Sequence, residues 1–356
     1  MDVAEIFDLG RWLQKQAPII KRYQALQTAL EHNATQSQKM PLREQLDQLL
    51  SGLREMPMTE LNLQQIAHLD QTGVAKLIGP AGATYVENVV KQSSYDPATA
   101  SSEIKAALQT VQRSLAEFRG VAETLTAAGF TFEEPEHVFV EGMANARIQF
   151  RNEASIDNIS EMKKWSADWN DIVRGVGHLA GQTPHDMKVL SASKGSIIVC
   201  VSGTLTLVSL MALMSKKVSS IVLEGLKVAN AIEDLRHKKI SNQIIEQSMK
   251  DDLKTKQDAL EEETVTALKD HAGVKYQPEH DAHLRIAVKK FVDFSKKGGE
   301  VDYLQPPANV DDDEDNEVLQ DDQKQLTNEL RELISEIRTI KGQTLLLEDQ
   351  SVDSIE

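Results

Sequence analysis

Hydrophobic positions recur with the helical period over most of the chain, and the exceptions are confined to its middle. Ile6, Leu9, Trp12 and Leu13 share one helical face; Pro18 interrupts it, and Ile19, Ile20, Tyr23, Leu26 and Leu30 resume the pattern. Pro41 opens a further helix carrying Leu42, Leu46, Leu49, Leu50 and Leu53. Thr59 is the expected N-cap of the next, with Leu63, Ile66 and Leu69 on its face, and Gly79-Pro80-Ala81-Gly82 marks a turn. Asp96-Pro97 starts a longer helix. Its Ile104, Leu108, Val111, Leu115, Phe118 and Leu125 form a heptad-type seam that Gly129 closes.

Beyond residue 134 the period shortens. Val138-Phe139-Val140 and Arg147-Ile148-Gln149-Phe150 read as short strands, the second with clean alternation. Ser155 or Asp157 is the expected cap of a helix on which Met162, Trp165, Trp169, Ile172, Val176 and Leu179 recur, and which Thr183-Pro184 ends. Lys188–Ser193 and Ile197–Val201 flank Lys194-Gly195-Ser196 as a hairpin. From Thr204 apolar positions continue helically to Leu268. Unbroken, such a helix would approach ~100 Å, with Ser241-Asn242 and Gly273 as the expected interruptions. A shorter helix, Asp281 to Lys297, stops at Gly298-Gly299.

Within this stretch lies one uncharged run of 21 residues, Gly195–Ser215, flanked by Lys194 and Lys216-Lys217. It is long enough to span a bilayer. Ser202-Gly203-Thr204 divides it into a β-branched half and a Leu/Met half, and the preferred reading is a buried strand leading into a buried helix. The membrane alternative is conditional insertion of residues 197–214, with Ile197, Val199, Val201, Leu205, Leu207, Leu210 and Leu213 facing lipid after the surrounding helices open.

Pro306-Pro307 and Asp311-Asp312-Asp313-Glu314-Asp315 read as a linker that cannot bury a core. After it Leu319, Leu326, Leu333, Ile340 and Leu347 recur every seven residues, with Leu330 and Ile337 at the second seam position. Gln323, Thr344 and Gly342 weaken this coiled coil. A helix with such a seam needs a partner helix.

The expected fold is mainly α, in four parts: a helical bundle (1–130), a small α+β module running into a long helix (131–300), an acidic linker (301–322) and a coiled-coil tail (323–356). At 356 residues the chain is long enough for about two domains. Asp and Glu number 55 against 39 Lys and Arg, a formal charge of −16, which repels phosphate backbones and excludes nucleic acid as a general partner. The basic clusters, Arg236–Lys239, Lys289-Lys290 and Lys296-Lys297, read as solvated helix faces. Cys200 is the only cysteine, so no intrachain disulfide forms, and it sits among apolar neighbours as a small hydrophobe. The start, MDVAEIFDLGRW, lacks the basic and apolar regions of a signal peptide, so the expected location is cytoplasmic, membrane-associated under the alternative.

Candidate chemistry is thin. Arg174-Gly175-Val176-Gly177-His178-Leu179-Ala180-Gly181 ends a helix, whereas a dinucleotide fingerprint follows a strand and opens one. His280 and His283, beside Glu279 and Asp281, lack the spacing of known zinc sites, and the acidic run from Asp311 lacks the glycine and glutamate of a calcium loop. Trp165 and Trp169 read as helix packing rather than an interfacial anchor, and His137 with Glu141 is no more than proximity in sequence. No catalytic, cofactor or metal residues are therefore assigned. Residues 137–240, read as strand, helix, hairpin and long helix around Lys194-Gly195-Ser196-Ile197, resemble the small α/β adaptor modules of bacterial immune-type and signalling proteins. Long helices around one apolar β/α segment are also similar in plan to helical pore-forming toxins. The leading expectation is a non-enzymatic scaffold or adaptor that associates with itself through the 319–347 seam and packs through the 104–125 seam. A membrane-acting effector is the alternative, and an enzyme with a site assembled from distant segments is the third reading.

Overall fold

The computed structural model describes residues 3–92, 96–129, 142–193, 197–238, 243–272, 280–305 and 317–353. The fold is mainly α, with a small antiparallel sheet, and the chain forms two compact units, Met1–Glu136 and His137–Glu356.

The first unit is a helical bundle of α1 (Val3–Lys15), α2 (Ile19–Thr35), α3 (Arg43–Arg54), α4 (Leu63–Gln71), α5 (Gly79–Gln92) and α6 (Pro97–Ala127). The predicted stripes close on one core, where Leu9, Tyr23, Leu26, Leu49, Leu53, Leu69 and Ile104 are almost wholly buried. Asp96 caps α6, its carboxylate accepting from the amides of Ala98 (3.1 Å) and Thr99 (3.2 Å), and Gly129 follows the helix at φ 86°. The α6 seam packs along α2. Two local expectations fail. Thr59 lies in a 3-10 turn, and α4 is capped by Asn62, which accepts from the Gln65 amide while the Gln65 side chain accepts from the Asn62 amide, both at 2.9 Å. This reciprocal cap satisfies two orphan donors where threonine alone would satisfy one. The glycines at 79 and 82 belong to the first turn of α5, with Pro80 just inside it. A Cβ on Gly82 would lie 2.5 Å from the Leu77 carbonyl oxygen. The Tyr23 hydroxyl donates to that same carbonyl at 2.7 Å, and burial pushes its pKa upward.

The second unit is built on β1 (Met143–Phe150), β2 (Lys188–Ser193), β3 (Ile197–Thr204) and β4 (Glu300–Leu304), in the order β2-β3-β1-β4 with every pair antiparallel. Its helices are α7 (Ile159–Ala180), α8 (Leu205–His237), α9 (Gln243–Ala272), α10 (Asp281–Lys296) and α11 (Glu317–Asp353). One sheet face carries Ala144, Ala146, Ile148 and Phe150 into a core with Trp165, Trp169, Leu207, Met211, Phe291, Phe294, Val301 and Tyr303. Trp165, Trp169 and Phe291 set their rings edge-on to neighbouring aromatics; Trp165 and Phe294 are 5.3 Å apart at 78°. Tyr303, wholly buried, donates to the Met211 carbonyl at 2.9 Å and shares a 2.7 Å hydrogen bond with Ser215 Oγ; burial raises its pKa.

Four features differ from expectation in this unit. Residues 301–304, placed in the linker, form β4 with Glu300: Val301 and Tyr303 alternate into the core, and that burial outweighs the acidic neighbourhood. The helix expected to run to Leu268 breaks after His237 and doubles back. Lys217–Glu263 (2.5 Å) and Arg236–Glu246 (2.6 Å) tie α8 to α9 in antiparallel order; the expected interruptions at 241–242 and 273 lie outside the described residues. The cap of α7 is Asn158, accepting from the Glu161 amide at 3.0 Å, rather than Ser155 or Asp157. Met162 is 53% exposed although it continues the stripe of Trp165. The expected strand at Val138–Val140, the turn Lys194–Ser196 and the acidic run at 311–315 lie outside the described residues.

Candidate functional site

The apolar run is the interior of the second unit. β3 holds Ile197, Val199 and Val201, with Val201 opposite Ala146 and Val199 opposite Ile148. Thr204 caps α8, and Leu205, Leu207 and Leu210 are buried while Leu213 packs partly covered against the same core. Among the described residues α8 is the one helix long and apolar enough to cross a membrane, and 61% of that window is buried in the protein.

The coiled-coil seam finds its partner within its own unit. Leu330, Leu333 and Ile337, joined by Ile334, are buried in the core, and Leu326 packs against it. Lys216 pairs with Glu336 at 2.6 Å and the Asn230 amide donates to the Leu347 carbonyl at 3.0 Å, so α11 runs parallel to α8. Ile340 and Leu347 are half-buried; the side chain of Leu319 lies outside the described residues. The central seam is thus packed within the unit.

The glycines at 175, 177 and 181 have a packing explanation. A Cβ on Gly175 would stand 2.5 Å from both the Ala287 Cβ and the His283 carbonyl oxygen, so this glycine lets α10 approach α7. Gly177 leaves room for the Gln182 carbonyl, and Gly181 turns left-handed at φ 67° to end the helix. The basic clusters are offset by carboxylates: Arg236 by Glu233 and Glu246, Lys290 by Asp168 (2.7 Å) and Asp171 (2.6 Å), Lys297 by Asp293.

Three features were missed in the sequence. The second face of β1 is polar yet buried. Asn145, Arg147 and Gln149 lie opposite Ser202, Cys200 and Ile198 on one side, and opposite Leu304, Asp302 and Glu300 on the other. Arg338 of α11 reaches Asp302 at 3.4 Å. The alternation at 147–150 marked a strand and left its polar face unassigned; an arginine and two amides on a central strand were the available signal. Gln149 is wholly buried and its amide has no hydrogen-bond partner.

The two sheet edges differ. β4 is attended by α11, whose Lys341 donates to the Val301 carbonyl at 3.1 Å. Among the described residues β2 pairs only with β3, and Val189 is 67% and Leu190 37% exposed. Lastly, His178 near the end of α7 stacks on His280 (4.2 Å between ring centroids, 9° between planes), with His283 at 5.4 Å. Among the described residues no set of three His, Cys, Asp or Glu side chains could hold a metal ion. Parallel stacked imidazoles cannot aim both in-plane lone pairs at one ion.

A hollow of about 250 Å³ lies beside Phe150, Arg151, Asn152, Ser155 and Asp157. Its polar groups are engaged with one another: Arg151 with Glu300, and Ser155 Oγ with Asp157 at 2.9 Å. No protein-family model, curated protein or solved structure matches the chain.

Proposed function

We propose that the chain is a self-associating scaffold or adaptor, and that copies join through the β2 edge of the second unit, which no other described strand covers. The observation that carries this reading is the contrast between the edges. An edge strand presents unpaired amides and carbonyls that template another strand. The β4 edge has α11 lysine and arginine side chains against it; β2 bears two exposed apolar side chains, has no proline, and has its one charge at Lys188. Antiparallel pairing of two β2 strands about their midpoint sets Lys188 opposite Ser193 and Val189 opposite Ala192, without like-charge contact. A six-residue edge contact is small, so the association is transient and concentration-dependent.

The membrane reading draws no support from this arrangement. Insertion of 197–214 would remove Val201, Leu207, Val208, Met211 and Met214 from the centre of the unit. Light scattering during size exclusion tests the scaffold. The expected result is a mass above the 39.6 kDa of one chain at micromolar concentration, returning to one chain in Val189→Lys with Leu190→Asp. Both side chains are exposed, so circular dichroism of the variant should match the parent. A single-chain mass for the parent at all concentrations, or an unchanged mass in the variant, refutes edge pairing.

A further inference from the structure

We infer that His178, His280 and His283 form an acid-sensitive latch that holds the start of α10 against α7 at neutral pH and lets go on acidification. Three imidazoles from two helices meet at one point of contact. As neutral rings they stack well. Each proton added places a cation about 4–5 Å from its neighbours, where like charges repel by an amount several-fold larger than in bulk water.

The surroundings offer little compensation. From α7, Arg174 adds positive charge and opposes protonation of His178. Asp171, on the same helix, could offset it, but Lys290 of α10 and Arg174 already engage that carboxylate, and Lys290 holds Asp168 as well. On α10, Asp281 is bound by Lys269 of α9 and by Arg285, which also pairs with Glu262 of α9. Asp171 also interacts electrostatically with His283, but Lys290 and Arg174 already engage that carboxylate; among the described residues none of the three histidines forms an ion pair, and the His280 Nδ1 atom is buried without a hydrogen bond.

The direction of titration agrees. Burial first, then the two neighbouring histidines and Arg174, lower the pKa of His178 beneath its ordinary 6.5. A base whose folded value lies below its unfolded value contributes stability that is complete above the unfolded value. That stability drains as pH falls beneath 6.5 toward the folded value.

What opens is defined by packing. Beyond the histidines, α10 touches α7 through Gly175 and Ala287, and buries Leu284 and Val288 in the core that also holds the first turns of α8. Loosening the start of α10 therefore exposes an apolar strip at a place set by pH.

Amide hydrogen exchange on the full chain, followed by mass spectrometry and corrected for the intrinsic pH dependence of exchange, reads this directly. Between pH 7.5 and 5.5 the protection of residues 283–289 should fall several-fold, up to about ten-fold for one histidine that stays neutral one pH unit below its unfolded value. Protection in α6 of the first unit should stay constant. His178→Phe with His280→Phe keeps two stacked rings and removes the protons; its protection should be the same at both pH values. His280→Lys should open the segment already at pH 7.5. In parallel, the three imidazole Cε1–H resonances should titrate with at least one midpoint displaced to low pH. Equal protection of the parent at both pH values overturns the latch, as does an unchanged acid response in the double phenylalanine variant. Three independent titrations at the ordinary value also overturn it, and that outcome can be read even if both variants fail to fold.

Discussion

Replacing Gly175 by alanine adds one methyl group where α7 and α10 touch, and two opposed effects decide the outcome. Alanine is favoured over glycine inside a helix by about 0.8–1 kcal/mol. Against this, the added carbon would lie 2.5 Å from the Ala287 Cβ and 2.5 Å from the His283 carbonyl oxygen. Carbon atoms rest at about 3.5–4.0 Å, so the helices must separate by about 1 Å. One neighbour is backbone and cannot rotate away. Overpacking of this kind costs about 1–3 kcal/mol, and separation would also loosen Leu284 and Val288. The expected net loss is about 1–2 kcal/mol for the second unit. Gly120→Ala is the matched control. It too lies within a long helix, but nothing stands within 4 Å of its added carbon, so propensity acts alone and the first unit should gain about 0.5–1 kcal/mol. Urea unfolding followed by tryptophan emission separates the units: Gly175→Ala is read in a Trp12→Phe background, where only Trp165 and Trp169 remain, both in the second unit, and Gly120→Ala is read with Trp12 retained as the reporter of the first. Adding Ala287→Gly to Gly175→Ala should recover part of the loss, because it removes one of the two contacts. A neutral or stabilised Gly175→Ala would refute the close approach of α7 and α10.

Other variants test separate parts of the architecture. Leu333→Ala with Ile337→Ala should destabilise the second unit by several kcal/mol in calorimetry, since each deletion from a packed core costs about 2–5 kcal/mol; with the seam filled by α8, the mass in solution should depend on β2 instead. Asn62→Ala should cost the first unit about 1 kcal/mol in urea unfolding through loss of the reciprocal cap of α4. Gln149→Met should leave the second unit as stable or raise its midpoint, because an unpartnered buried amide costs about 1–3 kcal/mol and its replacement removes that cost; a clear loss would mean that Gln149 has a partner in solution.

Hydrophobic period and helix punctuation determined a great deal here. The helices of the first unit other than α5, the start of α6 at Asp96-Pro97, the start of α8 near Thr204, the pairing of β2 with β3, and the end of α10 before Gly298-Gly299 all follow from local chemistry, because a cap or a left-handed glycine satisfies groups within a few residues. Ambiguity arose wherever two environments share one pattern. A 21-residue apolar run suits lipid as well as a protein core, and only the tertiary structure shows β1, α7, α10 and α11 packed around its described residues. A heptad seam specifies that a helix needs a partner but not which one; parallel packing on α8 supplies it from within the chain. Alternation at 147–150 marked a strand without saying what covers its polar face; Arg147 and Gln149 are buried, so both faces of β1 are covered. The histidine cluster unites positions about a hundred residues apart, His178 with His280 and His283, and no local signal carries that distance. Backbone preferences act over one or two turns, whereas burial depends on what the rest of the chain brings alongside.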